Sequence, residues 1–178
     1  MREKGSHREF ILAGTGGQGL ILSGILLAEA AMAEGRNVVQ TQSYGIASRG
    51  GLSLAEVIVD DDEIIFQQVR KPDCILALTE EAAKKYDSWA AKGVTMLYDS
   101  TLAQPRAGKC YVGCDFTQRA SAMGNAGSVN ILALAALAAR TGVVKIATLE
   151  RLVRQRFRGP ALDLNRQMLA VGATLAAA

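Results

Sequence analysis

The alternation of apolar and polar positions opens with a run, residues 10–13, that is apolar at every position and ends in a glycine-rich stretch, Gly14–Gly19. Such a run predicts a short strand buried on both faces. From Gln18 to Ala33 the apolar residues recur at helical spacing, and Gly35 predicts the helix end. Further strands are predicted at 37–41, 52–59, 74–78, 94–98 and 109–113, with a turn at Asp60-Asp61-Asp62. Thr79, followed by Glu80 and Glu81, has the chemistry of a helix N-cap with first-turn acids. Residues 43–51 fit neither period, and residues 64–69 are ambiguous.

Beyond Asp115 the pattern is helical only, at 116–123, 128–140, 148–157 and 162–175. No linker, repeat or low-complexity tract divides the chain. The order of elements predicts one α/β domain over residues 1–178, with the polar residues 1–8 expected to be flexible. The architecture is a three-layer α/β/α sandwich with a mostly parallel, Rossmann-like sheet and C-terminal helices packed back on it.

Composition sharpens this picture. The chain of 178 residues is 49% hydrophobic but only 5% aromatic, so Ala, Leu, Ile and Val must fill the core. Its net charge of +3 is too small to argue for nucleic acid by itself. The late basic residues Arg140, Lys145, Arg151, Arg154, Arg156, Arg158 and Arg166 read as a solvated or subunit-facing surface. The cysteines, Cys74, Cys110 and Cys114, form no disulfide framework, which points to a reducing cytoplasm. With His7 the only histidine, no metal or cluster site is expected from this chain alone. The apolar stretch 131–139 is far shorter than the roughly 20 residues of a membrane span. No catalytic nucleophile or acid–base pair stands out, and Cys74 sits inside an apolar strand as an inert core residue would.

The glycines carry the candidate chemistry. Gly14-x-Gly16-x-x-Gly19 lies between a predicted strand and a predicted helix, where free N–H groups and the positive end of the helix dipole receive anions. A nicotinamide site also needs an acid at the end of the second strand, and NVVQTQSY has none. A P-loop is excluded, because no Gly-Lys-Ser/Thr follows. The plain alternative is that the glycines only let the first helix pack closely on the sheet. A second segment, Tyr44-Gly45 to Arg49-Gly50-Gly51, follows the second strand and is expected at the same carboxyl edge of a parallel sheet. Arg49 suits a phosphate or carboxylate, or equally an ion pair across a subunit boundary. Asn125 and Asn130 either bind substrate or cap the turn before the long helix. Tyr44 is a candidate for facing a partner chain.

Taken together, GTGGQG at 14–19, YGIASRGG at 44–51, PDCILAL at 72–78, Gly124-Asn125 with Asn130, and Asn165 with Gly172 resemble the gamma subunit of the 2-oxoacid:ferredoxin oxidoreductases. The resemblance runs from about Arg8 to Gly172. It implies a share in the CoA-dependent oxidative decarboxylation of a 2-oxoacid, with 2-oxoglutarate foremost and pyruvate or branched-chain acids close behind. It implies thiamine diphosphate, Mg and iron–sulfur clusters on partner alpha, beta and ferredoxin-like delta subunits, with ferredoxin reached through the complex. This chain is expected to be inactive alone, to complete the assembly and to help bind coenzyme A. The cofactor contacts it implies are Gly14, Thr15, Gly16, Gly17, Gln18, Gly19, Tyr44, Arg49, Gly50 and Gly51. A free-standing nucleotide- or flavin-binding module is the alternative, and a homodimer is possible for the isolated chain.

Overall fold

The computed structural model describes residues 7–44, without the Tyr44 side chain, and 51–176. Strands β1 (Arg8–Thr15), β2 (Asn37–Tyr44), β3 (Leu52–Asp60), β4 (Cys74–Ala77), β5 (Thr95–Asp99) and β6 (Tyr111–Cys114) form one sheet in the order β2-β3-β1-β4-β5-β6. The helices are α1 (Leu20–Ala33), α2 (Glu80–Ala90), α3 (Phe116–Ala122), α4 (Val129–Thr141), α5 (Ile146–Arg156) and α6 (Gly159–Leu175), with a 3₁₀ turn at Ala126–Ser128. Residues 64–69, ambiguous in the sequence, form no helix or strand.

β1, β4, β5 and β6 run parallel, whereas β3 is antiparallel to both its neighbours, β1 and β2. The chain leaves β1 through α1, reaches the outer strand β2, and turns back as β3 to fill the place between them. Alternate residues of β1 divide between two apolar layers. Phe10 and Leu12 enter the larger one with α1, α4, α5 and α6; Ile11 and Ala13 enter the smaller one with α2. That double cover is why the run is apolar without alternation. β3 alternates in its first half, because α2 does not extend over it and Leu52, Leu54 and Glu56 are only half-buried.

Helix ends follow local chemistry. The Thr79 hydroxyl accepts the Ala82 amide at 3.2 Å, as the N-cap reading requires. α6 starts at Gly159, earlier than the apolar spacing suggests, because Pro160 is tolerated in a first turn, where its missing N–H has no partner to lose. α4 is buried along nearly its whole length, between the sheet and α6. The two helices meet at Gly172, where a Cβ would collide with the Leu132 carbonyl oxygen and stand 2.9 Å from the Ala135 Cβ.

Of residues 1–8, expected to be flexible, residues 1–6 lie outside the described part, and the last two make defined contacts. Arg8 opens β1 and ion-pairs with Asp73 at 3.4 Å. His7 bridges two carboxylates, with Nδ1 at 2.7 Å from Asp60 and Nε2 at 3.0 Å from Glu9. The Glu9 bond and the Asp60 bond raise the His7 pKa against the opposing effect of burial. Burial pushes Glu9 and Asp60 upward, but His7 and backbone amides outweigh it, and both carboxyls end below their ordinary values.

Two outcomes are expected. Gly172→Ala gains helix propensity of about 1 kcal/mol, yet the collision with the α4 backbone makes it destabilising by about 1–3 kcal/mol net in chemical denaturation. A raised histidine pKa contributes stability below the ordinary 6.5 that is lost as pH rises through the raised value; lowered carboxyl values contribute above the ordinary 4.5 and are lost as pH falls through the depressed ones. The stability difference between wild type and His7→Ala should therefore be widest between pH 4.5 and 6.5 and shrink at higher pH.

Candidate functional site: the glycine rim

The carboxyl end of β1 is the point where the sheet order reverses: β3 and β2 lie to one side, and β4, β5 and β6 to the other. Open α/β sheets leave a crevice at such a switch point. Gly14–Gly19 turns directly over it. The register brings the second candidate segment alongside: Ser53 sits opposite both Gly14 and Tyr44, and Leu52 sits opposite Thr15. The end of β2, Gly51 and the glycine loop thus share one rim. They do so by a different route from the one expected, since an antiparallel strand intervenes and the two meet through a β2–β3 reversal. Arg49 and Gly50, with residues 45–48, lie outside the described residues, as does the Tyr44 side chain.

Within the loop the positions divide into two kinds. Gly16 and Gly17 are exposed, a Cβ on either would meet nothing, and their amides have no partner among the described residues. The others are committed to the loop itself. The Gln18 side chain folds back, accepting the Thr15 amide at 2.8 Å and donating to the Leu78 carbonyl at 3.2 Å. It thereby fills the space beside Gly14, where a Cβ would collide with its Oε1. Gln18 is a brace between the β1 and β4 ends; its amide is spent on the chain's own backbone.

Gly19 ends the loop at φ 73°, so the helix begins at Leu20 rather than at Gln18. No side chain caps α1, which leaves the first-turn donors open toward the crevice. The Gly19 carbonyl receives Asn130 Nδ2 at 3.2 Å, and Ser23 Oγ on α1 returns a bond of 3.2 Å to the Asn130 carbonyl. Asn130 therefore fastens the start of α4 to the start of α1, and the positive ends of two helix dipoles converge on the rim. Asn125 does cap: its Oδ1 accepts the Gly127 amide and its Nδ2 donates to Ser128 Oγ, both at 2.9 Å. The sequence named both asparagines, but nothing in their spacing reveals that Asn130 reaches a residue 111 positions away.

Elsewhere the chain offers little chemistry. Burial pushes the Cys74 thiol up to about 12 and the Cys114 thiol up to about 11, which keeps both protonated and unreactive. Among the described residues no group of three or more His, Cys, Asp and Glu side chains is arranged to hold a metal ion. No helix among them is long and apolar enough to cross a membrane. Part of the late basic set is used internally: Arg154 and Arg166 both grip Glu150, and Arg156 grips Glu29.

The profile of the family described as pyruvate ferredoxin/flavodoxin oxidoreductase matches residues 9–175. The chain belongs to this family. Within it the chain is of the gamma-subunit type. It is 42% identical over 148 residues to the 2-oxoglutarate synthase subunit KorC of Archaeoglobus fulgidus, covering 83% of this chain and 77% of that one. The gamma subunit of the keto/oxoacid ferredoxin oxidoreductase from Geobacter sulfurreducens superposes with a TM-score of 0.81 at 36% identity, covering 95% of this chain and 98% of that one. The 2-oxoglutarate:ferredoxin oxidoreductase from Magnetococcus marinus, solved with 2-oxoglutarate, coenzyme A and succinyl-CoA bound, shares the fold. Its TM-score is 0.87 at 22% identity, over 97% of this chain and 31% of that longer one.

The loop geometry makes one prediction. Gly19→Ala forces a Cβ to 2.7 Å from the Asn130 side chain in a left-handed conformation, and the backbone alone costs about 1–2 kcal/mol. Thermal melting should show that loss for Gly19→Ala and no comparable loss for Gly16→Ala.

Proposed function

We propose that this chain is the non-catalytic gamma subunit of a CoA-acylating, thiamine-dependent 2-oxoacid:ferredoxin oxidoreductase, and that its glycine rim holds the phosphates of coenzyme A. The observation that carries the reading is the pair of open, unpartnered amides at Gly16 and Gly17, set where two helix N-termini meet at the switch point of the sheet. The cradle fits the group. A phosphate needs donors and a positive potential without bulk, and among the described residues no atom stands within 4 Å of where a Cβ of Gly16 or Gly17 would lie.

Thiamine diphosphate with Mg, and the iron–sulfur clusters, belong in this reading to the alpha, beta and ferredoxin-like delta subunits, through which electrons pass to ferredoxin. Family membership supports that division, and among the described residues no group of three or more His, Cys, Asp and Glu side chains is arranged to hold a metal. Coenzyme A, when bound, supplies the thiol that takes up the acyl group. This chain's part is to hold the phosphate end so that the thiol end reaches chemistry on a companion chain. Gly16, Gly17 and the first turn of α1 would offer backbone donors, with Gly14, Gln18 and Asn130 keeping the loop in shape. Arg49, with Tyr44, Gly50 and Gly51 on the adjoining segment, would add a fixed charge and further amides. Similarity to KorC supports 2-oxoglutarate as the acid handled.

Reconstitution tests the reading. A mixture of the companion subunits should turn over 2-oxoglutarate with CoA and ferredoxin only when this chain is added; full turnover without it ends the assignment. In the complete complex Arg49→Ala should weaken CoA by about 1.5–3 kcal/mol, as loss of a charge-assisted bond does. Gly16→Val should weaken it without lowering thermal stability, because the added side chain enters open space. Micromolar binding of NAD or FMN by the isolated chain, with none of CoA, would favour a free-standing nucleotide module instead.

A further inference from the structure

Opposite the glycine rim, the connection from β3 to β4 presents an apolar tip on an anchored base. Its sequence from Asp60 reads DDDEIIF. Four large hydrophobic side chains are exposed among the described residues, and two of them, Ile65 at 90% and Phe66 at 47%, are neighbours here. An isolated exposed aliphatic residue needs no explanation, but an adjacent pair held on a fixed support does.

The support is extensive. The buried Glu9 carboxylate accepts the amides of Arg70 and Lys71 at 2.6 and 2.7 Å, and the Glu9 backbone exchanges two bonds of 2.8 Å with Asp73. His7 ties Glu9 to Asp60, Arg36 pairs with Asp61, and the Arg70 guanidinium lies 4.2 Å over the Phe66 ring. A hollow of about 170 Å³ remains beneath the tip, lined by His7 and Arg70 as well as by Glu9, Asp60 and Glu63. Asp62 and Glu63 are exposed, and their carboxylates have no ion-pair partner among the described residues. The tip is thus apolar at its end, acidic on its flank and already ordered, so docking would lose little conformational freedom.

We infer that residues 62–66 form a docking prong for a companion subunit of the complex, whose receiving surface is an apolar hollow with a basic rim. A Lys or Arg of that rim would meet Asp62 and Glu63. A second copy of this chain fits less well, because its own acidic flank would repel the first across a two-fold axis. The inference rests on the gamma-subunit reading but not on the coenzyme A contact, since the prong is at the amino ends of the parallel strands and the rim at their carboxyl ends.

The test measures association of the full chain with the purified remaining subunits by calorimetry, at low and high salt. Ile65→Asp should weaken association at least about tenfold, as loss of an interfacial anchor does, with an unchanged melting temperature because the side chain is exposed. Asp62→Lys with Glu63→Lys should also weaken it and remove the loss of affinity that high salt causes in the wild type. Wild-type affinity in both variants overturns the prong, and so does a finding that Ile65→Asp only dissolves a dimer of the chain itself. Arg49→Ala and Gly16→Val should assemble normally; if they lose coenzyme A while Ile65→Asp assembles as wild type does, the prong fails and the rim stands. A wild-type chain that binds no companion subunit overturns both.

Discussion

The exchange of hydrogen bonds between Asn130, Gly19 and Ser23 is what the functional face depends on. Each bond by itself contributes only about 1 kcal/mol net. Their importance is positional. They join the first turn of α1 to the first turn of α4 across the crevice, so the two helix dipoles point at one place and the loop between β1 and α1 cannot drift. Gln18 does the same on the other flank by linking Thr15 to Leu78. The Gly16 and Gly17 amides at the loop tip have no partner among the described residues, while the side chains of Gln18 and Asn130 beside them are spent on backbone groups.

Much of the scaffold was legible in the sequence, because its signals are local. The apolar run of β1, the Thr79 cap, the long Ala/Leu helix ended by Gly142 and the parallel strands before and after α2 all follow from period and punctuation. The direction of β3 was not legible. No two-residue turn signal marks a reversal between Tyr44 and Leu52, and strand direction is set by partners rather than by composition. The start of α1 was misplaced by two residues because periodicity ignores the left-handed conformation at Gly19. The separation of Gln18 from Gly16 and Gly17 was equally hidden. A glutamine in a glycine loop reads as a ligand contact until the geometry shows its amide turned inward.

The two ends of the sheet have different characters. At the carboxyl end, small residues and two amides unpaired among the described residues leave an open surface. At the amino end, Glu9, Asp60 and Asp73 gather His7, Arg8 and the backbone of residues 70–71 into a tight polar knot. The thiols of Cys74 and Cys114, in the strands between the two ends, are pushed up by burial.

β2 closes one side of the sheet with eight residues, NVVQTQSY, that include no charge and no proline. Natural borders are usually guarded by lysine, proline or a bulge, because a bare row of amides and carbonyls recruits any extended peptide. β2 is the outermost strand on its side, so its outer row of amides and carbonyls is a margin on which a further extended segment could add by strand pairing.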